Sequence, residues 1–253
     1  MVVSALVTLQ TTAGAQTPAD LGYRLDVDGP ITLAGSIGWF AAISQRESIG
    51  PAACQWCATN SFDLGVRRAL LWRDPLAAEH LVDIVGFAVG PAATLGADLV
   101  AAQHDGAWQQ SLVDALLVTE AATVASDVNL AVRFAVARQR PWAWAAAPSA
   151  GRSRDSNMSF YSGHATMMFA VATAAGTVAE MRGYRWAPLV WLVGMPLALA
   201  TSYLRIASDD HWTTDVLVGM AAGGAMGFAI PFFAHHRVRI VPAGGTLSVV
   251  GSF

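Results

Sequence analysis

Two stretches of 19 residues, 186–204 and 216–234, contain no Asp, Glu, Lys or Arg. A helix that crosses the hydrocarbon of a bilayer needs about 20 predominantly apolar residues, so each stretch is close to spanning length. That restricts these segments to membrane-spanning helices or to the centre of an unusually apolar helical bundle. Composition points the same way. Hydrophobic residues make up 54% of the 253 residues and charged residues 13%, against about 25% charged in soluble domains; mean hydropathy is +0.44. Abundant Ala and Gly without strict alternation argue for helices packed closely through small residues and against strands. A net charge of −3 gives no footing for a nucleic-acid partner.

Three shorter apolar stretches, 31–44, 84–97 and 165–179, and a longer one near 113–135, the third in order, raise the number of expected helices to six. The stretch 113–135 carries Asp114, Glu120, Asp127 and Arg133, and ionisable groups at such depth are expensive unless they face the bundle interior or a polar cavity. A soluble helical bundle therefore stays open beside a transmembrane one. Residues 1–20 form a possible signal or disordered start: Val2 to Leu9 is apolar and Ala13 to Ala15 suits a cleavage site, yet no Lys or Arg precedes Arg24. Residues 21–235 are expected to form a single helical domain, with 236–253 as a tail.

Chemistry concentrates in three places. In Arg205 to Asp215, His211 and Asp215 stand four residues apart. On one helix face the carboxylate would accept a hydrogen bond from one ring nitrogen and aim the other outward. Arg205 adds a planar, permanently charged fork suited to a pair of phosphate oxygens. Arg133 and Arg140 lie two helical turns apart, with Pro141 expected to end that helix. Tyr161 to His164 precede an apolar run, which places Ser162 and the Gly163 amide at a helix N-terminus that favours an anion.

In this order, Arg133-x6-Arg140-Pro141, Tyr161-Ser-Gly-His164 and Leu204-Arg205-x5-His211-x3-Asp215 resemble the three-part signature of the type-2 phosphatidic acid phosphatase superfamily. That signature runs Lys-x6-Arg-Pro, Pro-Ser-Gly-His, Ser-Arg-x5-His-x3-Asp. Arg133, Tyr161 and Leu204 depart from it; only the first alters the anion site, exchanging a point-like ammonium for a guanidinium. The resemblance covers roughly residues 80–235 by helix arrangement. It implies an all-α, six-helix bundle, transmembrane in the lipid phosphatases. It also implies a metal-independent phosphatase with no cofactor, acting on a phosphorylated lipid at a membrane. His211, oriented by Asp215, would attack phosphorus and form a phosphohistidine, and His164 would protonate the leaving oxygen. Arg133, Arg140, Ser162, Gly163 and Arg205 would hold the phosphate. The lipid stays open among phosphatidate, phosphatidylglycerol phosphate, a polyprenyl pyrophosphate and a lipid A phosphate.

If six helices span, all three signature pieces and the connection 45–79 fall on one side. Arg182, Arg185 and the basic tail fall on the other, which puts the site on the periplasmic or extracytoplasmic face of a bacterial-type inner membrane. Cys54 and Cys57, the only cysteines, suit a small disulfide in that oxidising compartment. The segment 142–159 reads as an irregular loop whose Arg152, Arg154 and Asp155 are solvated. Asp209 and Asp210 read as charges at a helix start rather than metal ligands, and no acidic pair has a spacing that suggests a metal. The tryptophans read as markers of bilayer interfaces and helix packing. Three alternatives stand beside the lipid phosphatase: a soluble periplasmic acid phosphatase of broad specificity, a vanadium-dependent haloperoxidase, and a non-enzymatic membrane protein.

Overall fold

The computed structural model describes residues 19–146, 153–235, 239–243 and 246–250. Residues 1–18 of the possible signal, Arg152, and residues 236–238, 244–245 and 251–253 of the tail lie outside the described residues.

The helices are α1 (Asp28–Ser44), α2 (Arg46–Ile49), α3 (Ser61–Leu70), α4 (Pro75–Ile84), α5 (Gly90–His104), α6 (Ser111–Val136), α7 (Pro141–Ala145), α8 (Gly163–Met181), α9 (Ala187–Ala207) and α10 (Thr213–Ala229). A π-helical turn, Val85–Val89, joins α4 and α5 into one rod, and another continues α10 to Ala234. Counted as rods, these are nine helices among the described residues, against the six expected. The six expected rods are all present. The additions are the short α2, α3 and α7, whose four to ten residues give too little periodicity to read. Local chemistry starts two of them: the Asn60 side chain accepts from the Asp63 amide at 2.8 Å, and Pro141 opens α7. In the tail, β1 (Arg239–Ala243) pairs antiparallel with β2 (Thr246–Val250).

The bundle is inside-out relative to a soluble protein. Its central helix α8 packs against α5, α6, α9 and α10 and is buried almost throughout, yet its buried residues are mostly Ala, Gly and Thr, with Met168, Val171 and Val178 the larger ones. On α10, Gly219 and Gly227 face α8 so closely that an added Cβ would lie 2.7 Å from the Ser162 carbonyl and 2.6 Å from that of Ala170. Gly223, between them, is closer still to Thr166. That small-residue seam lets two backbones meet, which is how helices associate where lipid removes the hydrophobic drive. The large apolar side chains point outward instead: Leu33 and Phe40 on α1, Leu192 and Leu199 on α9, Leu217, Phe228 and Phe233 on the α10 rod. Four rods, Pro75–His104, Trp108–Val136, Ala187–Ala207 and Thr213–Ala234, are long and apolar enough to cross a bilayer. The chain is a membrane protein of all-α fold.

Candidate active site

At one end of the bundle, the last turns of α1, α6 and α9 and the first turn of α8 surround a cavity of about 170 Å³. Arg46, Arg133, Arg140, Arg205, His164, His211 and Gly163 line it together with Glu79, Asp83, Asp155 and Asp210. Three of the arginines come from three separate segments. Arg133 is in the last turn of α6, Arg205 in the last turn of α9, and Arg140 is the extended N-cap of α7. The expected single helix carrying Arg133 and Arg140 on one face is therefore corrected. α6 stops at Val136, where Ala137 takes a left-handed conformation (φ 46°), and the chain doubles back to bring Arg140 to the same cavity.

The arginines are held by carboxylates and carbonyls. Arg133 Nε donates to the Met158 carbonyl at 2.8 Å, and its Nη2 lies 3.7 Å from Asp155. Arg140 donates to the backbone carbonyl and the carboxylate of Asp155, both at 3.0 Å, and to the Asp210 carbonyl at 3.1 Å. Arg205 Nη2 meets the Asp210 carboxylate at 3.0 Å, while its buried Nε has no partner. Burial alone would push the Asp155 carboxyl up, but the Arg140 and Arg133 guanidiniums outweigh it and bring it down to about 2. Asp210 follows the same pattern: burial raises it, Arg205 and Arg140 lower it further, and the net shift is downward. Both acids are thus carboxylates at neutral pH, and the guanidiniums are shared between them and the cavity.

These pairings overturn two expectations. Asp155 is buried against Arg140 instead of solvated in a loop, and part of 142–159 is ordered as α7 and a 3₁₀ turn at Arg154–Asn157. Asp209 and Asp210 precede α10 and serve arginines instead of the helix end. Asp209, at a left-handed φ of 63°, takes a bidentate contact from Arg67 at 2.5 and 2.6 Å. A guanidinium within reach is worth more to a buried carboxylate than a helix dipole.

The two histidines differ in how they are held. His211 is buried in the connection before α10, not on the helix itself. Its Nδ1 lies 2.7 Å from the Ser159 carbonyl, which can only accept, so Nδ1 carries the proton and Nε2 keeps its lone pair. Asp215 is 3.8 Å from Nδ1, so the expected direct hydrogen bond is not made. Asp215 instead caps α10 by accepting the Trp212 amide at 3.0 Å, and it accepts from the Ser159 hydroxyl and from Arg138. It fixes the residue that fixes the imidazole. Burial, then the positive charges of Arg205, Arg140 and Arg133, hold His211 well below the usual histidine range, so it is neutral at neutral pH. His164, at the start of α8, has its Nε2 3.0 Å from Asp83 and its ring 4.3 Å from the Phe87 ring. Phe87 sits on the π-helical turn, and Gly86 beside it leaves the room that His164 takes: a Cβ there would lie 3.1 Å from the imidazole.

Arg133, Arg140, Gly163, His164, Arg205 and His211 are therefore brought together. Ser162 is the N-cap of α8, buried beside the cavity without lining it, and its hydroxyl has no partner. Arg138, Ser159, Asp83, Asp155 and Asp210 went unread as a group. Arg138 is fully buried: it donates to Asp63 at 2.7 Å, and its guanidinium stacks 4.0 Å from the Trp56 ring. One signal was available, since Arg138 lies between two arginines of the first motif. Cys54 and Cys57 are joined in a disulfide beside this network, in the segment that bridges from Trp56 to Arg138.

A second cavity, apolar and about 360 Å³, lies between α1, α5, α6 and α8. It shares Trp39 and Phe87 with the first, so the charged cavity and the apolar one meet at those two rings.

The sequence model of the PAP2 superfamily matches residues 113–239, just over half of the chain. Among solved structures, the chain is similar to the crystal structure of the first transmembrane PAP2 type phosphatidylglycerolphosphate phosphatase from Bacillus subtilis. Identity is 17% and the TM-score 0.47, over 81% of this chain and 96% of that one. A search of curated protein sequences gives no match.

Proposed function

Because the chain belongs to the PAP2 superfamily, we propose that it is a phosphatase that removes phosphate from a phosphorylated lipid through a phosphohistidine on His211. One observation carries the reading: a neutral imidazole with its lone pair on Nε2 lines the same small cavity as four guanidiniums, and that cavity abuts an apolar one. In the first step His211 Nε2 attacks phosphorus, the bond to the ester oxygen breaks, and His164 gives that oxygen a proton. Burial and then Arg205 bring the His164 imidazole down to about 4, so Asp83 and the charge of the bound phosphate must keep it protonated for this step. In the second, His164 takes a proton from water, whose oxygen attacks phosphorus and frees the imidazole as inorganic phosphate leaves.

Arg133, Arg140 and Arg205 hold the equatorial oxygens as charge moves from one apical position to the other, with Ser162 and the Gly163 amide beside them. The unpartnered Nε of Arg205 is a donor ready for one of those oxygens. On this reading the guanidiniums supply the charge that a metal supplies in other phosphatases. The lipid's chain lies in the apolar cavity past Trp39 and Phe87. The basic residues of the opposite loops support an extracytoplasmic site.

The test is phosphate release by the detergent-purified protein from a panel of lipid phosphates and one soluble phosphate ester, with EDTA present and His211→Ala in parallel. Turnover that survives EDTA, prefers a lipid and falls by about 10⁴-fold or more in the variant is expected. Activity indifferent to His211 would sink the mechanism.

A further inference from the structure

At the opposite end of the bundle, three ionisable side chains converge that the catalytic reading does not use. Asp28 is the first residue of α1, Glu120 lies on α6, and His235 follows the last turn of the α10 rod. They are 92 and 115 residues apart in sequence, which hides them from any spacing argument. Glu120 is 13 residues before Arg133 on the same helix, about 20 Å along its axis. One ligand atom of each of the three lies within 4.8 Å of the other two.

The imidazole is set as a ligand. His235 Nδ1 faces the Gly22 carbonyl at 2.9 Å, so it holds the proton, and Tyr23 stacks on the ring with centroids 6.0 Å apart. In the neutral ring Nε2 therefore presents a lone pair, and it is aimed at Glu120 Oε2, 3.1 Å away. His235 is 6% exposed and Glu120 8%, and neither of these two atoms has a hydrogen-bond partner of acceptable geometry. A buried imidazole nitrogen and a carboxylate oxygen that face each other need a cation between or beside them, either a proton on the ring, which Glu120 favours, or a metal ion. Nitrogen and oxygen ligands, each about 2.0–2.2 Å from a zinc ion in tetrahedral geometry, lie roughly 3.0–3.5 Å apart. A histidine whose other ring nitrogen is tied to a backbone carbonyl is the usual outer-shell arrangement of such a ligand.

We propose that Asp28, Glu120 and His235 bind a divalent transition-metal ion, with zinc the best match to one imidazole and two carboxylates. The ion ties the start of α1 and the end of the α10 rod to α6, far from the charged cavity, so its role is structural. It secures α1, which packs mainly on α6 and contributes Trp39 to both cavities.

The experiment uses the full chain in detergent, stripped with EDTA, dialysed, and then given zinc. Metal content after gel filtration, thermal unfolding with and without zinc, and the zinc X-ray absorption spectrum are measured for wild type, Glu120→Gln and His235→Gln. About one zinc per wild-type chain is expected, with nitrogen and oxygen ligation including an imidazole. A rise in melting temperature of roughly 5–10 °C is expected at a hundredfold excess over the dissociation constant, with uptake and shift lost in both variants. Should either variant fail to fold, the stripped and reloaded wild type still decides the matter through its stoichiometry and spectrum. Wild-type uptake no greater than that of folded Glu120→Gln, a spectrum without imidazole, or no zinc-dependent shift would overturn the proposal and leave a shared-proton ion pair.

Discussion

The two cavities that meet at Trp39 and Phe87 are opposites in construction. The smaller one is walled by four guanidiniums, four carboxylates and two imidazoles, nearly all paired with one another. The larger is lined by Phe40, Leu95, Val118, Met167 and Val171 with a few hydroxyls, and it lies where α1 rests on the bundle. A buried guanidinium tolerates its site only with partners in place, so the first cavity is over-determined and its side chains have little room to adjust. The second relies on shape and apolar area, which tolerate changes of volume far better. On the proposed function, chemistry is confined to a rigid pocket and substrate selection to an adaptable one, and perturbing either separates the two roles.

The largest effect belongs to the rigid pocket. Arg205→Lys keeps the charge but not the fork, and it strips Asp210 of the nearest of its guanidinium partners. A loss of about 10³-fold in kcat is expected on every substrate, lipid or soluble alike. A loss confined to lipid substrates would break the division between the cavities. His164→Gln comes next, at about 10²-fold on an alkyl phosphate whose leaving oxygen needs a proton. On an activated aryl phosphate, whose leaving group departs without help, most of that loss is expected to vanish. An equal loss on both esters would remove His164 from the acid's role.

How far the sequence made this division visible depends on what fixed each part. The long rods were legible because charge-free length is a one-dimensional property, and Arg133, Arg140, His164, Arg205 and His211 were legible because motif spacing is too. Partnership is not one-dimensional. Asp215 is four residues from His211 and still does not touch its ring, because the chain turns into α10 only after His211 and the carboxylate is drawn to Arg138 and the Trp212 amide. Asp155 looked like a loop charge because nothing local shows that Arg140 turns back onto it. Phe87 reached both cavities through a π-helical turn, a one-residue insertion in the helical ladder that hydrophobic periodicity does not register. The short α3 and α7 carry too little periodicity to be read from sequence, although α3 supplies Asp63, the second carboxylate on Arg138.

In the adaptable cavity the expected effects are smaller and selective. Ala122→Trp projects an indole into the apolar space from α6. A rise in KM of about tenfold is expected for a long-chain lipid phosphate, from displaced chain contacts worth somewhat over 1 kcal/mol. kcat on a soluble ester is expected to stay at the wild-type value. A variant that slows both substrates equally would show that α6 transmits strain to Arg133, and the two cavities would no longer count as independent.

The smallest effect is one of pH, and it sharpens the comparison because only the charged cavity can produce it. In the proposed mechanism the nucleophilic form of His211 is the neutral one, and its folded pKa lies well below 6.5 through burial and the charges of Arg205, Arg140 and Arg133. As pH falls, a group with depressed pKa keeps its neutral form past 6.5 and loses it only on reaching the folded value. An imidazole with an ordinary pKa would cost kcat/KM about tenfold between pH 7 and 5.5. For His211 that loss is expected to be absent, once the substrate's own second ionisation near about pH 6 has been allowed for. Ala122→Trp should leave the acid limb where it is, since the apolar cavity contributes no charge to the imidazole. An acid limb that stays near 6.5 after that correction would mean that the guanidinium field does not reach the nucleophile in the working enzyme.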